Sequence, residues 1–176
     1  QLVGFMQSAQ NARLSLERLS EIHSKEDEEP ANRELVQDAD PDSDIRIKQL
    51  SFRYPGALDH VLKDIDLLIP AGKKTAIVGA SGSGKTTLMK LLLKFYEPQS
   101  GEIKIGGTPL SSIRPSYWRN QCGVVMQEGY IFNDTIAGNI AVGADRAEIK
   151  RLKHAVEMAS IRSYIEELPL RYNTKI

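Results

Sequence analysis

Apolar residues along this chain change their period several times, and each change marks an element. Over residues 1–22 they fall at Leu2, Phe5, Ala9, Ala12, Leu16, Leu19 and Ile22. Steps of three and four describe one stripe of a helix. Residues 23–44 lose the pattern, with Pro30, Pro41 and few apolar positions. Such a stretch buries too little surface to order itself, which predicts a linker and a folded body that begins near Ile45. From there the period is two. Ile45 and Ile47 share a face, while Leu50, Phe52 and Tyr54 share one in the opposite phase. The slip between them predicts a β-bulge. "VLKDIDLLIP" reads as the second half-buried strand, after a turn in "YPGALDH". "KTAIVGA" and "CGVVMQ" are short apolar runs of the buried-strand type, and "GEIKIGG" is a strand closed by a glycine pair.

Helical spacing returns in "GKTTLMKLLLKFY", with Leu88, Leu91, Leu92 and Phe95 on one stripe and "EPQSG" ending it. "RPSYWRNQ" predicts a short helix in which Tyr117 and Trp118 pack. Ile136 and Ile140 mark another helix. Asp145 and Glu148 read as a capping box before a stripe of Ile149, Leu152, Val156 and Ala159. A last helix is expected over residues 161–168.

Net charge is zero, but the distribution is split. Residues 21–44 carry ten acids against Lys25 and Arg33, whereas residues 45–176 carry 19 Lys and Arg against 12 Asp and Glu. A mildly basic body suits an anionic ligand such as a nucleotide and is too weak a bias for DNA or RNA. The basic run "KRLKH" reads as a solvated helix face. A single cysteine, Cys122, excludes a disulfide framework and a Cys-based metal site, and reads as a small buried strand residue. No run of about 18 apolar residues is present, so nothing here spans a membrane by itself.

The sharpest chemical signal is Gly79-Ala-Ser-Gly-Ser-Gly84-Lys85-Thr86, which matches G-x-x-x-x-G-K-[ST] in full, between an apolar strand and an amphipathic helix. Gly79, Gly82 and Gly84 let the backbone curl so that several N–H groups, with those of Ser81 and Ser83, point into one concavity. The positive end of the following helix reinforces them. Lys85 is expected to reach the β- and γ-phosphates, and the Thr86 hydroxyl to ligate Mg²⁺. Thr87 is expected to add a hydroxyl near the α-phosphate.

Three further features narrow the class. Tyr54, at a strand end beside a turn, is either a core aromatic or a ring on which adenine stacks. Gln127 follows a predicted buried strand, at the carboxyl end where ligands bind in open α/β sheets; a surface-loop glutamine is the alternative. "NDTIAGNI" begins a helix.

Together these resemble the nucleotide-binding domain of ATP-binding cassette (ABC) transporters, from about Ile45 onward. "FRYP" is similar to the family's aromatic loop, which implies that Tyr54 meets the adenine. "GASGSGKTT" resembles its phosphate loop. "VVMQE" resembles its glutamine loop, which implies Mg²⁺ and γ-phosphate sensing by Gln127 and a membrane-domain contact nearby. Val61 matches a position that lines adenine or ribose. The implied fold is α/β: a phosphate-loop core with a parallel sheet, plus a small antiparallel β subdomain over residues 45–75 and 101–107. The parallel sheet would hold the strands before Gly79 and at Cys122–Met126. Residues 1–22 are then either a helix packed on the body or the cytoplasmic tail of a preceding transmembrane helix. Residues 23–44 are an acidic linker, and residues 45–176 are part of the nucleotide-binding domain.

The resemblance further implies ATP and Mg²⁺ as ligands, transport-coupled ATP hydrolysis, and a place at the cytoplasmic face of a membrane. The expected partners are a transmembrane domain of the same polypeptide and a second nucleotide-binding domain. The wording is also similar to peptide and bacteriocin exporters. The chain departs from the family pattern in having no four-apolar-Asp-Glu run and no Leu-Ser-Gly-Gly-Gln. None of His23, His60 and His154 occupies the place of the family's histidine. It therefore reads as the front part of a longer export ATPase that by itself binds ATP without turning it over and exposes a sheet edge and apolar surface; the alternatives are a non-catalytic nucleotide-binding fragment or another phosphate-loop class, such as a small kinase or a DNA-repair ATPase.

Overall fold

The computed structural model describes residues 2–25, 27–29, 34–142 and 148–176, without the side chains of residues 2–5, 8, 9, 21 and 22. The chain divides into two compact units, Gln1–Gly123 and Val124–Ile176. The first opens on helix α1 (Leu2–His23). Its stripe residues Leu2, Phe5, Ala9 and Ile22 fall outside the described side chains, and Leu16 and Leu19 are exposed.

The core of the first unit lies on an antiparallel sheet of β1 (Ile45–Phe52), β2 (Leu62–Ile69), β3 (Ser100–Ile105) and β4 (Thr108–Pro109), in the order β2-β1-β3-β4. The phase slip in β1 is a bulge. Ile47 faces Leu67 and Leu50 faces Ile65, so β1 carries one residue more than β2 between these pairs. Gln49, at φ +47°, takes up the difference. The opposite surplus follows at once, because Leu50–Ile65 and Phe52–Leu62 leave the extra residue on β2 at Asp64, φ +49°. The bulged amides stay paired: Gln49 N–H donates to the Asp66 carboxylate at 3.0 Å and Asp64 N–H to the Ser51 hydroxyl at 2.9 Å. In this way Ile47, Leu50 and Phe52 all reach one core with Leu62, Leu88, Leu91, Ile103 and Ile105.

Helix α2 (Lys85–Leu92) buries Leu88 and Leu91 in that core. It ends earlier than its apolar stripe suggests. Lys94 turns left-handed at φ +56°, and Phe95 lies half out of the protein, with the Arg119 guanidinium 4.8 Å from its ring centre. Helix α3 (Pro115–Asn120) supplies partners for the last carbonyls of α2 and the turn after it. The Trp118 indole N–H donates to the Leu92 carbonyl at 2.7 Å, and Arg119 donates to those of Leu93 and Lys94, both at 2.9 Å.

The acidic stretch does not run free of the body. Glu28 pairs with Arg119, and Glu29 accepts from the Ser116 amide at 2.5 Å, at the start of α3. Val36 bridges to Ile113, and Ala39 is buried with its carbonyl on the Tyr117 hydroxyl. Apart from Ala39, which joins the core, these are contacts of charges and backbone groups, which a count of apolar residues does not reveal.

Two segments differ from expectation. Residues 74–80 and 122–126 form no strand. Val78 is 88% exposed and Val125 93%. A buried parallel strand needs neighbours on its edges and cover on its faces, and no described element provides these. Cys122 is accordingly half-buried rather than inside a strand, although burial still raises its thiol pKa.

The second unit packs α4 (Ile136–Ile140), α5 (Ile149–Met158) and α6 (Arg162–Glu167) around Ile136, Val156 and Ile165. Leu152 and Val156 are buried as their spacing predicts, whereas Ile149 and Ala159 are exposed. Asp145 lies outside the described residues, and Glu148 is the cap residue of α5 without a side-chain bond.

Gly101 sits against the β1 bulge at φ +83°, where a Cβ would lie 2.4 Å from the carbonyl oxygens of Lys48 and Gln49. Gly101→Ala should therefore lower stability by about 2 kcal/mol or more, read as a shift of the urea midpoint. Glu29 offers a pH test. The Ser116 amide bond, with Ser116 Oγ and Arg114, holds its carboxyl below the ordinary glutamate range. A depressed folded-state pKa means the contact is present above the unfolded-state pKa and is lost as pH falls through the folded one. The Ser116 amide resonance should titrate only below the ordinary range, and Glu29→Gln should abolish that titration.

Candidate functional site

The loop between residues 78 and 85 is shaped by glycine conformations. Ser83 N–H donates to the Ala80 carbonyl at 3.2 Å, closing a turn in which Gly82 has φ +79°. Gly84 then starts α2 at φ +89°, ψ 4°, with no side chain capping the helix. The first amides of a helix have no intrahelical partner, so this start presents donors and the positive dipole end to whatever lies in the loop.

Close approach also demands glycine at Gly84. A Cβ there would lie 2.6 Å from Leu62 Cδ2 and 3.1 Å from the Val61 carbonyl oxygen. The beginning of β2 is thus wedged beneath the helix start. This is the observed position of Val61, whose own amide donates to the Phe52 carbonyl at 2.8 Å. Leu62, which the sequence alone does not single out, is the side chain that fixes the approach.

The Lys85 ammonium is folded over the loop. It donates to the carbonyls of Gly79 at 2.9 Å and Ala80 at 2.7 Å, and to Ser83 Oγ at 3.2 Å. An ammonium has three N–H donors, and each has an acceptor here. A phosphate oxygen meeting this lysine has to replace one of them, and the Ser83 bond is the longest. Ser81, Gly82, Ser83 and Thr86 are exposed around it.

Thr87 is buried, and its hydroxyl lies 3.1 Å from the phenol oxygen of Tyr54. Tyr54 itself joins the edge of the core. Its ring meets Phe52 at 5.1 Å and Tyr96 at 5.2 Å, both edge to face, with the Lys90 ammonium 5.7 Å from its centre. Lys90 escaped the sequence reading, although it stands one helical turn beyond Thr87.

A cavity of about 370 Å³ lies beside the loop, lined by Ile65, Leu67, Ala76, Ile77 and Leu88 as well as by loop residues. Its walls are too apolar for a triphosphate; it is the space left between segment 74–80 and the facing residues of β2 and α2. The features suited to a phosphate, the left-handed glycines and the uncapped helix start, belong to the loop and the start of α2. Gln127 lies in the second unit, exposed and outside any helix or strand. There the segment after it is fastened by Asn139, whose side chain accepts from Phe132 N–H at 2.7 Å and donates to the Phe132 carbonyl at 2.9 Å. The Thr135 hydroxyl caps α4 by accepting from Gly138 N–H.

Comparison with known proteins matches residues 62–174 to the ABC transporter family. An ATP-dependent lipid A-core flippase from Alkalilimnicola ehrlichii is 45% identical over 75% of the chain and 23% of its own length. The transport/processing ATP-binding protein ComA from Streptococcus pneumoniae is 36% identical over 99% of the chain and 24% of its own. The chain thus spans about a quarter of the length of these curated relatives. A solved bacterial Atm1-family ABC exporter with ATP bound superposes with a TM-score of 0.78 at 30% identity, over 97% of this chain and 29% of that one.

Gly84→Ala should unsettle both the helix start and the seat of Val61 and Leu62. A stability loss of about 2 kcal/mol or more is expected, with displaced NMR resonances at Leu62 and Leu88; unchanged resonances at both would contradict the close approach.

Proposed function

The chain belongs to the ABC transporter family, and from that premise we propose that it is the ATP-holding front part of an exporter's nucleotide-binding domain. The observation that carries this is the loop Gly79–Thr87, with its left-handed glycines, its uncapped helix start and a lysine already gathered over it. Phosphate oxygens would take the free amides of the first turn of α2, and Lys85 would exchange Ser83 Oγ for one of them. Tyr54 and Val61 would border the adenine. Mg²⁺ would arrive on the phosphates and add the Thr86 hydroxyl as a ligand. The described residues hold no group of three His, Cys, Asp or Glu side chains that could bind a metal alone. Gln127 is proposed to complete the metal and γ-phosphate environment.

Phosphoryl transfer depends on positioned charge more than on covalent chemistry. With no Asp-Glu run after four apolar residues and no Leu-Ser-Gly-Gly-Gln in residues 1–176, the chain alone is proposed to bind ATP without turnover. No described helix is long and apolar enough to cross a membrane. Membrane-spanning segments are proposed to be supplied by a longer polypeptide, with this domain at the cytoplasmic face. A second nucleotide-binding domain would complete the hydrolytic site, so that ATP use drives export. The match to a transport/processing protein over nearly the whole chain favours a peptide cargo.

Titration calorimetry tests the binding step. ATP with Mg²⁺ should bind the chain, and Lys85→Ala should weaken binding about tenfold or more. Equal affinity in the variant, or steady hydrolysis by residues 1–176 that Lys85→Ala abolishes, would contradict binding without turnover at this loop.

A further inference from the structure

The acidic stretch grips the first unit at two places of different character. At Val36 and Ala39 the grip is made by backbone. Val36 N–H donates to the Ser112 carbonyl at 2.8 Å, the Val36 carbonyl accepts from Arg114 N–H at 2.9 Å, and the buried Ala39 offers its carbonyl to Tyr117. At Glu28 and Glu29 the grip is made by charge. Both Glu28 oxygens accept from the Arg119 guanidinium, and Glu29 accepts from the Ser116 amide at 2.5 Å and the Ser116 hydroxyl at 3.1 Å. Arg114, the cap residue of α3, makes no side-chain capping bond. Glu29, 87 residues before Ser116, caps that helix instead. Little packs beneath the charged grip. A cavity of about 360 Å³ has Glu28 and Leu35 among its walls on the acidic stretch, and Phe95 and Tyr96 among those after α2.

Arg119 belongs to both sides of this contact. Its Nε donates to the Leu93 carbonyl, and one terminal nitrogen serves both Glu28 and the Lys94 carbonyl. A guanidinium is planar and its donors are fixed relative to one another. A carboxylate that holds one edge therefore aims the other donors at the exit of α2. An isolated exposed ion pair contributes little, but this one is bidentate and shares its cation with a helix end.

We propose that residues 27–29 are a releasable latch: Glu28, acting through Arg119, and Glu29 tie the segment that follows α1 to the exit of α2, and opening the latch loosens that exit while the sheet core stays closed. The inference goes beyond the ATP reading and does not depend on it, because the latch lies at the end of α2 away from the phosphate loop. Contacts made by charge over a cavity give up little apolar contact when they part. Opening is therefore a local event, distinct from unfolding, and it responds to salt.

Amide hydrogen exchange on the chain tests this without nucleotide. Glu28→Gln should speed exchange at Lys94 and Phe95 about tenfold and leave the amides of β1 at their original rates. Glu29→Gln should do the same at Ser116. Arg119→Met should loosen the α2 exit at least as much as Glu28→Gln, and the double variant of Glu28 and Arg119 should exchange no faster than Arg119→Met alone. Raising NaCl from about 0.1 to about 1 M should speed Lys94 and Phe95 in the unaltered chain and have no such effect in Glu28→Gln. That arm needs no variant to show the opening. Unchanged exchange at the α2 exit in Glu28→Gln, faster exchange spread equally over β1, or multiplying effects in the double variant would each overturn the latch.

Discussion

A helix that offers its N-terminal amides to an anion leaves them without partners of their own, so the rest of the helix has to be held firmly elsewhere. Helix α2 meets this constraint on three sides. Leu88 and Leu91 anchor its buried face. The beginning of β2 presses against Gly84 so closely that no Cβ fits. At the far end, Trp118 and Arg119 take the carbonyls of Leu92, Leu93 and Lys94. An unsatisfied buried carbonyl costs about 1–3 kcal/mol, so these contacts keep the last turn and its exit from fraying. The open amides at the start can then stay open without the helix unwinding.

The sheet contributes by placing the start of β2. Its two bulges are opposite in sense, one surplus on β1 at Gln49 and one on β2 at Asp64. Together they cancel, so the register at Phe52–Leu62 is restored after the core has received Leu50. Without the second bulge, β2 would enter beneath α2 one residue out of step, and Leu62 would point to the opposite face. Two unusual backbone conformations in the sheet thus determine which side chain stands beneath the phosphate loop.

Much of this was legible in the sequence. The change of phase between Ile47 and Leu50 announced the first bulge, because a period of two cannot slip otherwise. The loop Gly79–Thr86 was legible because each of its residue types answers a local geometric demand. The second bulge leaves a similar slip between Leu62 and Ile65, but Leu67 and Leu68 side by side blur the alternation of that strand. The segments 74–80 and 122–126 read as buried strands on apolar content alone. A strand is made by its neighbours, and a linear pattern does not say whether neighbours are present. The link between Tyr54 and Thr87 was hidden for a related reason. Sequence suggested a phosphate contact for the hydroxyl and left the ring open between core and base, and only the approach of β1 to α2 shows that they meet. The pairing of Glu28 with Arg119 spans 91 residues and has no local signature at all.

The Trp118 contact gives the molecule an optical property. It is the only tryptophan in the chain, and its indole is buried with its N–H on the Leu92 carbonyl. Tyr96, Tyr54 and Tyr117 belong to the same packed cluster. Excitation of these tyrosines passes to a single acceptor at the exit of α2. Its emission wavelength registers water reaching that end of the helix, while the tyrosine-sensitised part of the signal registers the aromatic side. The far end of α2 can thus be watched without a label.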